Sequence, residues 1–353
     1  MDSAHPASTG KEPRGFGWGL HHLRTVVGGA GVIGVGHYVP ECVVSNADLA
    51  QIMDTSDAWI RTRTGIATRR RAEPHQATSD LALPAARMAL ERSGLRAMDL
   101  DLIVVGTVTP DHAFPSTACV LQAALGAQQA AALDIAAACT GFLYGVSMVE
   151  AMIRAGSIHY ALVVGAEVLS RILNYGDRTT AVLLGDGAGA AVLGPVPAGY
   201  GVLSTCLGAD GTGGSLVRMP AGGSRMPTTP ETLSDGLNTF QQNGREVYRF
   251  AVQIMGDTAE EALRRAGLSP ADVSLLVPHQ ANYRIIESAA RRFGFPMERV
   301  WVNIDRFGNT SSASIPIGLS EAVSAKRLHR GDVVLTVAFG GGLTWGAAVL
   351  RWL

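Results

Sequence analysis

Apolar residues recur along this chain in two alternating patterns. Stretches with an apolar face predict helices at about 78–93, 115–125, 140–155, 245–266, 281–293 and 310–323. Short runs rich in valine, isoleucine and leucine predict strands at about 101–106, 160–165, 273–277 and 332–338. Apolar strands that alternate with helices are typical of sheets covered by helices on both faces. The pattern therefore predicts an α/β fold.

One segment of the chain is repeated at long range. Residues 89–104 align without gaps on residues 262–277, and eight of the sixteen positions are identical. Each copy predicts the end of a helix, a glycine stop and a buried strand. In a second match, Cys139-Thr-Gly and Asn309-Thr-Ser each lead through a helix to a strand. The matches lie 173 and 170 residues apart, so we predict a duplicated chain with Cys139 and Asn309 at equivalent helix starts.

The length of the chain supports a division into two halves. Its 353 residues, 47% of them hydrophobic, exceed what a single hydrophobic core usually organises. The segment 199–243 is rich in glycine, proline, threonine and serine and predicts strands and loops. We therefore predict an N-terminal half over 25–198 and a C-terminal half over 199–353, preceded by an extension, 1–24, whose order the sequence leaves open.

Charge and cysteine content exclude several functional classes. A net charge of -1 gives no reason to expect a nucleic-acid or membrane partner, and no apolar run reaches the ~20 residues that span a bilayer. The cysteines lack the spacing of a disulfide framework or a metal site, so we expect no bound metal and a reducing, cytoplasmic location. They are Cys42, Cys119, Cys139 and Cys206.

Two glycine-rich segments match the dinucleotide-binding fingerprint. They begin at Gly29 and Gly185, and that motif requires a following helix whose N-terminus receives the pyrophosphate. The residues after each segment instead predict a strand. No nucleotide redox cofactor is therefore expected.

Cys139 is the main candidate for chemistry. It ends an apolar strand-like run and opens an apolar helix, whose free N–H groups and dipole are expected to lower the pKa of a thiol. A free cysteine is more often a small buried hydrophobe. Two further candidates also stand at strand-to-helix junctions, His279 in Pro-His-Gln-Ala-Asn and Asn309 in Phe-Gly-Asn-Thr-Ser. Taken alone, Asn309 has the alternative role of a helix N-cap.

These motifs together resemble one known family. From about Val32 to Leu353 the chain is similar to the β-ketoacyl-[acyl carrier protein] synthase III family of the thiolase superfamily. The resemblance rests on residues 54–66, the Cys139 segment, and residues 277–282, 308–314 and 338–346. It implies a thiolase-like fold in which two duplicated βαβαβαββ halves form a five-layer αβαβα sandwich.

The resemblance also implies an acyltransferase reaction. Cys139 would accept an acyl group from acyl-CoA, with the N–H groups of Cys139 and Gly341 as the oxyanion hole. His279 and Asn309 would stabilise the enolate formed when malonyl-acyl carrier protein loses CO2. That carbanion would attack the acyl-Cys139 thioester in a decarboxylative Claisen condensation, which needs no cofactor. For residues 340–342 taken alone, a flexible glycine turn is the alternative.

Further binding residues follow from the same resemblance, which implies a homodimer. Coenzyme A would contact Trp59, Arg63, Arg178, Asn282 and Gly244, although Arg245 follows Gly244 where some members have asparagine. The acyl pocket would include Leu169, Tyr248, Phe339 and Phe114, the last inserted by the dimer partner. The acidic carrier protein would meet Arg249, Arg284, Arg291 and Arg292, which would otherwise form a solvated helix face.

Three alternatives to fatty-acid initiation stay open from the sequence. The chain could prime a polyketide or alkylquinolone pathway, or transfer an acyl group to a hydroxyl or amine. A cysteine-dependent thioesterase is a candidate from another class, although no papain-type signature is present. A non-catalytic subunit of a heteromeric synthase would typically lack the nucleophile.

Overall fold

The computed structural model describes residues 28–353, so the predicted extension 1–24 lies outside the described part of the chain. The strands are β1 (Gly29–Tyr38), β2 (Cys42–Ser45), β3 (Thr68–Arg71), β4 (Leu102–Gly106), β5 (Ala131–Ile135), β6 (Ala161–Glu167), β7 (Gly187–Val196), β8 (Gly201–Ala209), β9 (Val217–Arg218), β10 (Gln241–Gln242), β11 (Leu275–Pro278), β12 (Val333–Gly340) and β13 (Thr344–Arg351). The helices are α1 (Asn46–Ala50), α2 (Asp57–Thr64), α3 (Thr78–Ser93), α4 (Thr117–Leu125), α5 (Gly141–Arg154), α6 (Arg178–Ala181), α7 (Pro230–Ser234), α8 (Gly244–Ala266), α9 (Tyr283–Arg292), α10 (Ile304–Phe307) and α11 (Ser314–Ser324). Every helix and strand predicted from the apolar pattern is present.

Five strands form the first large sheet, in the order β1-β7-β6-β4-β5. β4 runs parallel to both β5 and β6, whereas β7 is antiparallel to β6 and to β1. The glycine-rich segments that match the dinucleotide fingerprint lie in or lead into β1 and β7, which pair with each other. Neither segment opens a helix, so the expectation of strands there is confirmed.

The second large sheet repeats this arrangement with the order β11-β12-β13-β8. β11 is parallel to β12, and β13 is antiparallel to both β12 and β8. A parallel bridge between Leu276 and Val300 stands on the outer side of β11, where β5 stands in the first sheet. The second sheet is therefore a shortened copy of the first.

Helices α5 and α11 lie between the two sheets, and their apolar side chains fill one continuous core. That core joins Phe142 and Val149 of α5 and Leu319 of α11 to residues of both sheets, such as Val163 and Val334. The outer face of the first sheet packs on α3, and that of the second on α8 and α9. The molecule thus has the five layers αβαβα.

Around the turns that open α5 and α11, the two copies correspond at an offset of 173 residues, and this corrects the predicted equivalence of Cys139 and Asn309. Ala138 and Ser311 share an unusual positive φ, 48° and 50°, each at the first residue of a 3-10 turn. α5 and α11 begin directly after these turns. Adding the offset to 139 gives 312, so the counterpart of Cys139 is Ser312. The prediction was wrong because it matched a shared threonine instead of the turn.

A pair of glycines sets the position of the Cys139 turn. At the end of β4, a Cβ on Gly106 would lie 2.7 Å from the carbonyl carbon of Gly141 and 3.0 Å from its Cα. Carbon atoms cannot approach so closely without displacement of the backbone. Glycine at both positions therefore lets the first turn of α5 rest directly on the sheet.

We expect Gly106→Ala to destabilise the protein by about 1–3 kcal/mol, because the added methyl group overpacks this contact. The matched control is Gly223→Ala, since a Cβ there would meet nothing within 4 Å. Urea denaturation of the two variants measures the difference. Equal stability of both variants would contradict the close contact.

Candidate active site

One pocket among the described residues has a volume of about 560 Å³ and is lined by residues from both halves of the chain. Cys139, His279, Asn309 and Gly341 all line it. Most of its wall is apolar, and its charged side chains in the described chain are arginines, without any aspartate or glutamate. The structure therefore brings the three predicted chemical groups together in a pocket suited to an anionic ligand with an apolar part.

Cys139 lies in the 3-10 turn Ala138–Thr140 that leads into α5. The hydroxyl of Thr140 is 2.6 Å from the carbonyl oxygen of Ala137 and 2.9 Å from Oγ1 of Thr344 on β13. These contacts hold the turn between the two sheets. The thiol is thereby fixed at the N-terminal end of a helix, as the sequence predicts.

Burial raises the pKa of the Cys139 thiol to about 12. The carboxyl of Glu167 raises it further, whereas the Ser311 hydroxyl lowers it. The expectation that the helix start lowers this pKa is therefore wrong for the free protein, because desolvation of a charged sulfur dominates. Cys139 rests as a neutral thiol, and an acyl transfer must remove its proton.

His279 follows β11 directly and is almost fully buried, with 1% of its surface exposed. Its N–H donates to the carbonyl oxygen of Val337 at 2.8 Å, and its Nδ1 is 2.8 Å from Oγ of Ser314. The ring also packs edge-on against Phe339. Burial lowers the pKa of His279 to about 3, so the imidazole is neutral at physiological pH.

Asn309 is fixed by hydrogen bonds on its backbone and its side chain. Its N–H donates to the carbonyl oxygen of Leu183 and its own carbonyl accepts from the N–H of Gly185. The side-chain Oδ1 accepts from the N–H of Ser311 at 2.8 Å, which leaves the amide NH₂ as the free donor. The N-cap of α11 is Ala313, so Asn309 does not have the alternative role of capping that helix.

The glycine run after β12 closely approaches Cys139. A Cβ on Gly340 would lie only 2.8 Å from the backbone nitrogen of Cys139. Among the described residues, neither the N–H of Cys139 nor that of Gly341 donates to a neighbouring residue. Two unpaired donors on adjoining backbone segments can stabilise a negative oxygen in the pocket.

Trp59, which lines the pocket, lies beside two arginines. Ser56 caps α2 by accepting from the N–H of Trp59, and the helical spacing of four puts Arg63 beside that indole. The guanidinium carbons of Arg63 and Arg178 lie 4.8 and 5.1 Å from the ring centroid, within cation–π range. Arg178 does not line the pocket itself and pairs with Asp54 at 3.0 Å.

Two other residues expected to bind coenzyme A, Asn282 and Gly244, do line the pocket. Nδ2 of Asn282 donates to the carbonyl oxygen of Arg63 at 3.1 Å, and its Oδ1 caps α9. This side chain therefore ties α9 to the helix that carries Trp59.

The structure separates Phe114 from the other expected acyl-pocket residues. Leu169, Tyr248 and Phe339 line the pocket. Phe114 is 86% exposed and does not reach the pocket of its own chain. If it contributes to an acyl pocket, it does so in another copy.

The four arginines expected to meet the carrier protein lie on the exposed faces of α8 and α9. Three are in ion pairs: Arg249 with Glu246 at 3.2 Å, Arg291 with Glu287 at 3.5 Å, and Arg292 with Asp257. Within residues 28–353, Arg284 is in no ion pair. The net positive charge of this surface is thus smaller than the arginines alone suggest.

Glu167 and Ser311 were not identified from the sequence. Glu167 is fully buried at the end of β6, and Ser311 lines the pocket between Asn309 and α11. A charged residue inside the apolar run 160–169 was the available signal for Glu167. Ser311 gives no such signal, because its positive φ is a property of the folded turn.

Comparison with known proteins relates this architecture to one family. Residues 133–211 match the family model for 3-oxoacyl-[acyl-carrier-protein] synthase III, and residues 263–352 match the model for its C-terminal part. β-Ketoacyl-[acyl-carrier-protein] synthase III of Caldanaerobacter subterraneus is 53% identical over 92% of this chain and 98% of its own. The chain belongs to the β-ketoacyl-[acyl-carrier-protein] synthase III family.

Solved structures show the same fold. Synthase III of Thermus thermophilus is 49% identical, covers 92% of this chain and 99% of its own, and superimposes with a TM-score of 0.85. The priming β-ketosynthase of the R1128 polyketide pathway is 34% identical, covers 92% and 96%, and has a TM-score of 0.86. The predicted thiolase-like fold and the predicted acyltransferase class are confirmed.

Two further features of the described residues concern metals and membranes. Residues 28–353 contain no group of three or more histidine, cysteine, aspartate or glutamate side chains that could hold a metal ion. No helix in this part of the chain combines the length and apolar character needed to cross a membrane.

Acid should destabilise the protein through His279. The unfolded histidine binds a proton below its ordinary pKa of 6.5, whereas the folded one stays neutral until the pH approaches 3. In this window the unfolded state holds one more proton, so this residue lowers the free energy of unfolding by about 1.4 kcal/mol per pH unit as the pH falls.

Urea denaturation between pH 6.5 and 4.5 measures this contribution. The stability of His279→Gln, which has no titrating ring, should fall less steeply than that of the wild-type protein. Parallel pH profiles of the two proteins would contradict a neutral, buried His279.

Proposed function

We propose that this enzyme condenses an acyl-CoA with malonyl-acyl carrier protein, releasing CO₂ and CoA and giving a β-ketoacyl-acyl carrier protein. The single observation that carries the proposal is the pocket in which Cys139, His279, Asn309 and two unpaired backbone donors meet. The reaction initiates fatty-acid synthesis, the role that family membership supports. It needs no cofactor, because both substrates bring their own leaving groups.

In the first half-reaction, Cys139 Sγ attacks the thioester carbonyl carbon of acyl-CoA. The new thioester is similar in energy to the old one, so the acyl group is transferred at little thermodynamic cost. The tetrahedral oxyanion accepts hydrogen bonds from the N–H groups of Cys139 and Gly341. The close approach of Gly340 to the Cys139 nitrogen supports this assignment, because it brings the two backbone segments together.

In the second half-reaction, His279 and Asn309 stabilise the enolate left by decarboxylation of the malonyl group. Asn309 presents its NH₂ because Oδ1 is occupied by the Ser311 N–H. As the second donor we propose Nε2–H of His279, which requires the tautomer whose Nδ1 accepts from the Ser314 hydroxyl, an oxygen that lies 2.8 Å from Nδ1 and 2.9 Å from the Ser311 carbonyl oxygen. Both groups are neutral donors, so they hold the enolate oxygen without protonating it.

Substrate binding follows from the residues that line the pocket and from the two arginines beside Trp59. Trp59 offers an aromatic face for the adenine ring, and Arg63 and Arg178 offer charge to the phosphates. Asn282 and Gly244 line the route of the pantetheine arm, and Leu169, Tyr248 and Phe339 enclose the acyl chain. For the carrier protein, the exposed positions of α8 and α9 offer Arg249, Arg284, Arg291 and Arg292.

We further propose a homodimer located in the cytoplasm, with the chain divided at 198/199. Phe114 is 86% exposed, and the edge strand β5 is partly exposed. Both features favour a second copy of the chain that covers them. Two of the four free thiols, Cys42 and Cys119, are exposed, which fits a reducing compartment.

A labelling experiment tests the proposed function. Incubation with radiolabelled acetyl-CoA should place the label on Cys139 as a thioester, and malonyl-acyl carrier protein should then remove it as β-ketoacyl product. Absence of the Cys139 thioester would overturn the proposal. Rapid release of free acid would favour the thioesterase, and chain elongation of the product beyond one step would favour a polyketide role.

His279→Ala and Asn309→Ala should separate the two half-reactions. Each variant should still form acetyl-Cys139, whereas release of ¹⁴CO₂ from malonyl-labelled acyl carrier protein should fall about 100-fold, the usual cost of losing one charge-stabilising donor. Parallel loss of both half-reactions would contradict the division of roles.

Gly340→Ala should slow acylation of Cys139 by about 100-fold, because its methyl group would displace the backbone of the oxyanion hole. Single-turnover labelling with acetyl-CoA measures the rate. Gly211→Ala is the matched control, since a Cβ there would meet nothing within 4 Å. A wild-type rate in Gly340→Ala would exclude these two N–H groups as the oxyanion hole.

A further inference from the structure

Gln280 is a buried side chain beside the pocket that the mechanism above does not use. Only 1% of its surface is exposed. Its neighbours His279 and Ala281 line the pocket, whereas Gln280 is not among the described residues that do. A buried amide costs free energy unless its donors and acceptors have partners, so the partners of Gln280 indicate what it does.

Four hydrogen bonds satisfy the Gln280 amide completely. Its Nε2 donates to the carbonyl oxygens of Pro278 and Trp301, each at 3.0 Å. Its Oε1 accepts from the N–H groups of Asn303 and Ile304 at 3.1 and 3.2 Å. Since an amide side chain can donate two hydrogen bonds and accept two, this one has no free capacity for a ligand.

These bonds join two chain segments that carry the proposed enolate donors. Pro278, the last residue of β11, directly precedes His279. The two N–H groups that donate to Gln280 open α10, where the helix itself provides no acceptor for them. α10 ends two residues before Asn309. One side chain therefore connects the strand end of His279 to the helix that leads to Asn309.

The connection from α10 to Asn309 is tight. The N–H of Gly308 donates to the carbonyl oxygen of Ile304 at 2.9 Å, and the N–H of Asn309 donates to that of Leu183 at 2.8 Å. A Cβ on Gly308 would lie 2.9 Å from the Leu183 carbonyl oxygen. A displacement of α10 would therefore be passed on to Asn309.

The segment before α10 is also anchored on α11. The Oε2 of Glu321 accepts from Nε1 of Trp301 at 3.1 Å and from Nδ2 of Asn303 at 2.7 Å. The same helix carries Ser314, whose Oγ is 2.8 Å from Nδ1 of His279. Glu321 thus holds side chains of this segment, whereas Gln280 holds its backbone.

We propose that Gln280 is a positioning residue that fixes the separation of His279 and Asn309 for the malonyl half-reaction. Both donors must reach one enolate oxygen at the same time, so a change in their separation weakens at least one hydrogen bond. Within residues 28–353, no hydrogen bond links the Gln280 side chain to the Cys139 turn. Acylation of Cys139 should therefore not depend on it. The proposal rests on the proposed function.

Gln280→Met tests this role, because methionine is similar in size and removes all four hydrogen bonds. Single-turnover transfer of radiolabelled acetyl-CoA to Cys139 should stay close to the wild-type rate. Release of ¹⁴CO₂ from ¹⁴C-malonyl-acyl carrier protein by the acetylated variant should fall at least ~10-fold, since a misplacement of about 1 Å can cost ~100-fold. A fall in CO₂ release no larger than the fall in acetyl transfer would overturn the proposal.

A double variant distinguishes positioning from a general structural effect. In Asn309→Ala one of the two donors is absent, so the separation that Gln280 fixes no longer matters. Adding Gln280→Met to Asn309→Ala should therefore slow CO₂ release only slightly further, because residues that act together are not additive. A loss that multiplies in full on the Asn309→Ala background would show that Gln280 acts elsewhere and would overturn the proposal.

Asp101→Ala is the matched control for lost stability. The Oδ2 of Asp101 accepts from two consecutive N–H groups, those of His159 and Tyr160, as Oε1 of Gln280 does on α10. Asp101 directly precedes β4, whereas the Cys139 turn packs at the other end of that strand. Both half-reactions should keep their wild-type rates in this variant. If its CO₂ release falls as far as that of Gln280→Met, the effect is one of stability and the proposal fails.

Gln280→Glu provides the test if the methionine variant does not fold, as urea denaturation would show. Glutamate has the same shape and retains an acceptor for α10, but its carboxyl group cannot donate to both carbonyl oxygens. CO₂ release should again fall more than acetyl transfer. If neither variant folds, Gln280 serves the stability of the fold and the proposal is overturned.

The same measurements separate the two proposals. If the wild-type protein forms no acetyl-Cys139 or releases no CO₂, the proposed function fails and the positioning role fails with it. If the wild-type protein does both and Gln280→Met slows both equally, only the positioning role fails.

Discussion

The burial of α5 and α11 between two sheets is the constraint on which the rest of the structure depends. Each helix is covered on two sides, so its apolar side chains contribute to one core shared by both halves. A fully buried apolar side chain contributes roughly 1.5–3 kcal/mol relative to an exposed one, and this core contains many. Each helix enters this layer directly after a 3-10 turn whose first residue, Ala138 or Ser311, has a positive φ.

The same constraint creates the active site. Because both turns lie between the two sheets, Cys139 and Ser311 line the same pocket. The duplication supplies the scaffold twice, and the two copies have different residues at the equivalent positions. Cys139 carries a thiol, whereas Ser312 carries a hydroxyl that bonds to the carbonyl oxygen of Gly106 at 2.7 Å. The N-terminal copy thus provides the nucleophile, and the C-terminal copy provides side chains that pack around it.

Burial also determines the protonation states that the chemistry starts from. Desolvation holds Cys139 as a thiol and His279 as a neutral imidazole, so the resting site is not a thiolate–imidazolium pair. In such surroundings, backbone N–H groups and amide donors interact more strongly with a developing oxyanion than they would in water. Negative charge is therefore stabilised during the reaction on the oxygens that accept hydrogen bonds from these donors.

The sequence by itself determined the α/β class, the duplication, and the motifs that contain Cys139, His279 and Asn309. Periodicity and local repeats are properties of short segments, so they can be detected without coordinates. The sequence did not give the equivalence of Cys139 with Ser312, the raised pKa of the thiol, the ion pairs of Arg249 and Arg292, or the contacts of Glu167. Each of these depends on which residues approach from distant parts of the chain and how much water they displace, and only the tertiary structure decides that.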